Sequence, residues 1–66
     1  MTEYTNSQIE HIIDEYIHNS IHRDILKSRL IDGIIFDDLA FQYGFSLRQI
    51  KRIVYKNEKI IFSHLK

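Results

Sequence analysis

The chain has 66 residues without cysteine or proline, and nine lysines and arginines balance nine aspartates and glutamates. A domain of this size buries only about 60% of the surface of its unfolded chain, and neither a disulfide nor a cysteine-ligated zinc ion can add stability. No apolar run reaches the length of a membrane span or a signal-peptide core. We therefore expect one soluble, cytoplasmic domain with no membrane partner, held together by packing alone.

The zero net charge hides an uneven distribution along the chain. Residues 1–38 carry three lysines and arginines against eight carboxylates, whereas residues 39–66 carry six against one. A chain divided in this way is an electric dipole, and its positive end can face a polyanion. The alternative is that the charges of solvated helix surfaces fell unevenly in a short chain.

The first predicted helix shows apolar residues at the spacing of three and four that one helical face requires. Its N-cap is one of three small polar residues, Thr5, Asn6 or Ser7, and it ends near the HNS sequence at residues 18–20. The residues expected to face inward are Ile9, Ile12, Ile13, Tyr16 and Ile17.

The second predicted helix begins after Asn19 or Ser20 and ends at Asp32 or Gly33. Glycine is the residue best suited to the left-handed position just past a helix end. The residues expected to face inward are Ile21, Ile25, Leu26, Leu30 and Ile31.

A short third helix is predicted over about Phe36 to Tyr43. Asp37 and Asp38 fall in its first turn, where carboxylates interact favourably with the positive end of the helix dipole. Gly44 ends this helix.

The fourth helix begins right after Gly44-Phe45, with the sequence SLRQ supplying Ser46 as N-cap and Gln49 at the spacing of a capping box. It either continues to the end of the chain or bends near Asn57, which gives four or five helices in all. The residues expected to face inward are Leu47, Ile50, Ile53 and Val54, followed by Ile60, Ile61, Phe62 and Leu65 packing against the first helix. Isoleucine-rich stretches such as RIVY also suit strands, but the apolar period of 3.6 favours helices throughout.

Residues 36–56 therefore hold two helices joined by a short turn with glycine, the arrangement of a helix-turn-helix within an all-α domain. Ala40 is small where the second helix crosses the first. Gly44 can take the positive φ that a tight turn needs. Phe45 fills the space beneath the turn, and Ser46 caps the next helix.

The outward side of the helix over residues 47–56 is basic and polar. Arginine and glutamine match the edges of guanine and adenine in the major groove, and lysine binds phosphates as a point charge. The residues predicted to contact DNA are Ser46, Arg48, Gln49, Lys51, Arg52, Tyr55 and Lys56. The alternative is a solvated amphipathic helix whose basic residues bind nothing.

The segment RDILKSRLIDGIIFDDLAFQYGFSLRQIKRIVYKNEKIIFSHL, Arg23 to Leu65, resembles the fourth region of bacterial sigma factors and related sigma-like helix-turn-helix domains. The resemblance lies in the R-x-I-L…R helix, the D-G-I-x-F-D-D-L-A run, the Y-G-F-S turn and the I-K-R-I recognition helix. It implies promoter-type DNA binding, with Arg48, Gln49, Lys51 and Arg52 at base-facing and phosphate-facing positions.

The chain departs from that family in two respects. Ile35 stands where the family commonly has serine or threonine, so the third helix lacks its usual cap, at a cost of about 1 kcal/mol. Nothing corresponds to the regions of a sigma factor that bind the upstream promoter element or melt DNA. The chain is therefore similar to a free-standing region 4, as found in small regulators of phages and mobile elements.

The sequence gives little support for metal binding or for catalysis. His18 and His22 have the spacing of two metal ligands on one helix, but the residues between them should break the helix, and no third ligand is placed. Asp37 and Asp38 are explained as helix-start charges, and no serine has an evident base partner. We expect no metal, no cofactor and no catalytic residue, and hence a protein that is not an enzyme.

Two functions follow from the sequence. The first is a sequence-specific, double-stranded DNA-binding transcription regulator. The alternative is an interaction module that docks on RNA polymerase or on a sigma or anti-sigma partner, because zero net charge leaves few phosphate contacts. A homodimer through exposed aromatic residues is compatible with either function. The candidates for such exposure are Tyr4, Tyr16, and Phe41 or Tyr43.

Overall fold

The computed structural model describes residues 5–64, which form four helices. They are α1 (Asn6–Tyr16), α2 (Ser20–Leu30), α3 (Phe36–Tyr43) and α4 (Leu47–Ser63). All pairs of helices pack together except α1 with α3, so α4 contacts the other three. The predicted all-α domain is confirmed, and the described residues include no strand. Within this range, no helix has the length and apolar character needed to cross a membrane.

The helices enclose a core made almost wholly of branched aliphatic side chains. Its buried members are Ile13, Ile17, Ile25, Leu26, Leu39, Ile50, Val54 and Ile61. Ile9, Ile12, Leu30, Ile53 and Ile60 pack around them at its edge. As predicted, the last turns of α4 reach the core: Ile61 is fully buried in the same cluster as Ile13 of α1, and α1 packs against α4.

Four residues predicted to face the core are instead exposed to solvent, and each lies in the first or last turn of its helix. They are Tyr16, Ile21, Leu47 and Phe62. Tyr16, Ile21 and Leu47 lie at helix ends, where the other helices cover them incompletely. Phe62 follows the exposed Tyr55 by seven residues, or two turns, and so lies on the outward side of α4. Leu65 falls outside the described residues.

Side-chain caps set the starts of α1 and α2. Thr5 Oγ1 accepts a hydrogen bond from the Gln8 N–H at 3.1 Å, and Gln8 Oε1 accepts one from the Thr5 N–H at 2.8 Å, a capping box. Asn19 caps α2 by accepting from the N–H groups of Ile21 and His22. The predicted break between α1 and α2 is thus confirmed, with α1 ending at Tyr16, slightly before the HNS sequence.

Gly33 and Gly44 both take the left-handed conformation predicted for them, with φ of 71° and 72°. Helix α2 ends at Leu30, before the predicted Asp32 or Gly33, and its C-cap Ile31 keeps a right-handed helical backbone. Helix α3 has the predicted bounds, and its N-cap Ile35 makes no side-chain hydrogen bond, as expected.

Helix α4 runs without interruption through Asn57, so of the two predicted alternatives the continuous helix forms and the bend that would give a fifth helix does not. Asn57 is buried on the core side of α4, and its Nδ2 donates to the carbonyl of Ile53, one turn earlier, at 2.8 Å. The amide is thereby satisfied within its own helix. Because its side chain finds a hydrogen-bond partner within α4, Asn57 does not interrupt the helix.

The backbone at Gly44 leads to a prediction about stability. Gly44→Ala should lower the free energy of unfolding by about 1–2 kcal/mol, because a residue with a Cβ is strained in the left-handed region. No clash contributes, since no surrounding atom lies within 4 Å of the Cβ position. Gly44→Asn should cost less, because asparagine tolerates this region better. Urea unfolding followed by circular dichroism measures both, and an asparagine variant as unstable as the alanine one would contradict the explanation.

Candidate nucleic-acid interface

The arginines of α2 are used by the fold itself. Arg23 Nη1 donates to the carbonyls of Ile17 and His18, each at 3.0 Å, and so satisfies the end of α1. Arg29 Nη1 donates to the Ile34 carbonyl at 3.1 Å in the loop before α3. Both guanidinium groups thus satisfy loop carbonyls that helix hydrogen bonding leaves without a partner.

The lysine of α2 is also engaged. Lys27 Nζ lies 2.8 Å from Asp14 of α1. The hydrogen bond to Asp14, opposed by burial and supported by the charges of Asp14, Glu10 and Asp24, raises the pKa of Lys27 above its usual value. The ammonium group is therefore paired with Asp14 in a locally acidic environment, which offsets much of its attraction for a polyanion.

The remaining described cations all lie on α4. They are Arg48, Lys51, Arg52, Lys56 and Lys59. Each is exposed, and none pairs with a carboxylate of residues 5–64. We call these five residues the basic face. The one carboxylate of α4, Glu58, is only partly exposed and makes no ion pair with the described residues.

Helical spacing aligns the basic face along α4. Arg48, Arg52 and Lys59 are separated by four and seven residues, one and two turns, and so lie on one side. From Arg48 to Lys59 the helix rises by about 17 Å at 1.5 Å per residue. Ile50, Val54 and Ile61, which are buried, hold the opposite side of α4 in the core. The core therefore fixes the direction in which the basic face points.

Ser46 and Gln49 are occupied by the capping box at the start of α4, which confirms the predicted cap. Ser46 Oγ accepts from the Gln49 N–H at 3.2 Å, and Gln49 Oε1 accepts from the Ser46 N–H at 3.1 Å. Paired recognition of adenine needs both the oxygen and the amino group of a glutamine. With its oxygen held by the backbone, Gln49 has only its amino group to offer, and both residues position the helix.

Tyr55 lies at the border between the basic face and α3. Its ring meets the ring of Phe36 edge-on, with centroids 5.7 Å apart, and about half of the residue is exposed. The ring of Phe36 also contacts the guanidinium of Arg29, which lies 4.3 Å from the ring centroid. Tyr55 is thus partly a packing residue, and its exposed part adjoins Lys51, one turn earlier on α4.

Lys59 is the residue of this surface that sequence reasoning missed. The predicted DNA-binding helix covers residues 47–56, and the sequence leaves open whether the helix continues or bends near Asn57. Since α4 is continuous to Ser63, Lys59 stays on the same side. The signal was present in the sequence, because Lys59 follows Arg52 by two full turns.

The described residues hold no cluster of three or more histidines, aspartates or glutamates arranged to share a metal ion. His18 lies in the loop between α1 and α2, whereas His22 lies within α2. Comparison of the chain with models of protein families, with curated protein sequences and with solved structures gives no match. The resemblance to region 4 of sigma factors therefore rests on the residues quoted above, and the function has to be argued from the basic face.

Stability measurements can separate residues that build this surface from those that only lie on it. Ser46→Ala should lower the free energy of unfolding by about 1 kcal/mol, because it removes the cap of α4. Arg48→Ala and Lys59→Ala should change it by no more than about 0.5 kcal/mol, because these side chains make no ion pair with the described residues. Urea unfolding of the three variants tests this. If either exposed cation cost as much as the cap, its side chain would belong to the fold and not to a binding surface.

Proposed function

We propose that the chain binds double-stranded DNA through the basic face of α4 and acts in the cytoplasm as a transcription regulator of the kind found in phages or mobile elements. The observation that carries the proposal is the division of the cations. The three in α2 are bound by carbonyls or carboxylates, whereas the five on α4 are exposed and lack such partners within residues 5–64.

The dimensions of α4 suit a major groove. An α-helix with its side chains is about 10–12 Å across, close to the width of the major groove of B-DNA. The basic face extends over about 17 Å, half of the 34–36 Å repeat of the duplex, and one side of a helix can follow the groove over that distance. Arg48 and Arg52 then lie where guanidinium groups can bond to guanine, and the lysines can bind the flanking phosphates.

The other charges of the molecule favour one orientation on DNA. The acidic residues around Lys27, which are Glu10, Asp14 and Asp24, lie on α1 and α2. A polyanion is repelled by that surface and attracted by the basic face, so zero net charge is compatible with DNA binding. The resemblance to region 4 of sigma factors supports the same assignment of the helix after the turn.

Salt dependence and single substitutions test the proposal. A duplex selected from random sequences should bind with a slope of log affinity against log salt between about −2.7 and −4.5, corresponding to three to five neutralised phosphates. Arg48→Ala or Arg52→Ala should reduce discrimination against a scrambled duplex by about 1–3 kcal/mol. Fluorescence anisotropy between about 50 and 200 mM salt measures both quantities.

Lys27→Gln is the matched control, since it removes one positive charge away from α4. It should leave discrimination unchanged. If the control weakened DNA binding as much as Arg52→Ala, the attraction would come from total charge and not from the basic face. If no duplex bound at low salt while RNA polymerase or a sigma-type partner was retained, the docking alternative would replace DNA binding.

A further inference from the structure

A shallow groove opens beside the basic face, between the starts of α3 and α4. Its volume is about 320 Å³, and its lining consists of Ile35, Phe36, Asp37, Leu47 and Lys51. Ile35 and Leu47, both apolar, are 55% and 39% exposed. In a chain with so small a core, leaving these side chains in water forgoes stabilisation that burial would give.

An exposed aromatic side chain lies on the same side of α3 as Asp37, one of the residues that line this groove. Phe41 is 91% exposed, more than any other large apolar residue among those described. It follows Asp37 by one turn of α3, so the two lie on one side of the helix. Helical side chains lean towards the N-terminus, which directs Phe41 towards the turn of Asp37 that lines the groove. The exposed ring of Phe41 and the groove therefore lie on the same surface of the molecule.

The groove also carries one charge of each sign. Asp37 and Lys51 both line it, yet they form no ion pair with each other. This surface can be self-complementary. After a two-fold rotation, the exposed ring of one copy faces the groove of the other, and the acidic residue of one copy faces the basic residue of the other. The other large exposed apolar residues lack this combination. Tyr16, for example, is covered on one face by the ring of His64, with the ring centroids 3.7 Å apart.

We propose that this surface docks a second copy of the chain. Phe41 of each copy occupies the groove of the other, and Asp37 of each copy faces Lys51 of the other. A specific interface at the low end buries about 1,200 Å² in total, or about 600 Å² from each copy. That is roughly an eighth of the 4749 Å² that the molecule exposes. An interface of this size predicts a weak dimer, with a dissociation constant of about 10 µM to 1 mM.

Sedimentation equilibrium of the purified chain without DNA tests the proposal, at concentrations up to about 1 mM. Phe41→Ala should raise the dissociation constant about tenfold or more. Ile35→Ser should do the same while supplying the missing cap of α3, so a lost dimer cannot be ascribed to unfolding. Phe62→Ala is the matched control, because this half-exposed aromatic lies at the far end of α4. It should change the constant by no more than about twofold.

Exchanging the charges of Asp37 and Lys51 tests whether a second copy of the chain occupies the groove. Asp37→Lys alone should weaken the dimer, because it places two lysines opposite each other, and adding Lys51→Glu should restore it. The proposal is overturned if the chain stays monomeric over the whole concentration range. It is also overturned if a dimer persists in Phe41→Ala and Ile35→Ser, or if the exchange fails to restore association. Because DNA is absent, each result leaves the DNA-binding proposal to its own test.

Discussion

The structure depends on the packing of α4 against the other three helices. Ile50, Val54 and Ile61 of α4 are fully buried, and α4 contacts each of the other helices. A chain of this size has a small core, and the helix that completes this core also carries the basic face. Its two sides are therefore coupled, because any change that rotates α4 to repack the core also redirects the basic face. The Gly44 turn and the cap at Ser46 fix where α4 begins, and hence which residues fall on each side.

The fold also explains how a neutral chain presents a basic surface. Each cation of α2 is bound by a carbonyl or a carboxylate, and those contacts join α2 to α1 or to the loop before α3. The other lysines and arginines of residues 5–64 all lie on α4. Net charge counts all of these groups equally, whereas a polyanion meets only those that are exposed and lack acidic partners. The distribution of charged residues along the sequence therefore predicts an exposed basic surface better than the net charge does.

Local chemistry made the helix starts and the turn predictable. The bounds of α3 and the cap of α4 could be read from Asp37, Gly44 and Ser46, because capping and positive φ involve residues within one turn of each other. The exposure of Ile21 could not be read in this way, since it depends on how the other helices pack around the start of α2. Asn57 shows the same limit. Whether a polar residue breaks a helix depends on whether it can bond within that helix, and sequence spacing does not reveal this.

The capping box also bears on what the basic face can recognise in the proposed complex. Gln49 could read adenine only by releasing its oxygen from the Ser46 N–H, and opening the box would cost about 1 kcal/mol of helix stability. A good paired contact gains about 1–3 kcal/mol of discrimination, so the net gain at this position would be small. Arg48 and Arg52 carry no such cost, because neither makes a side-chain hydrogen bond or ion pair with the described residues. Discrimination in the proposed complex should therefore rest on the two arginines and favour guanine.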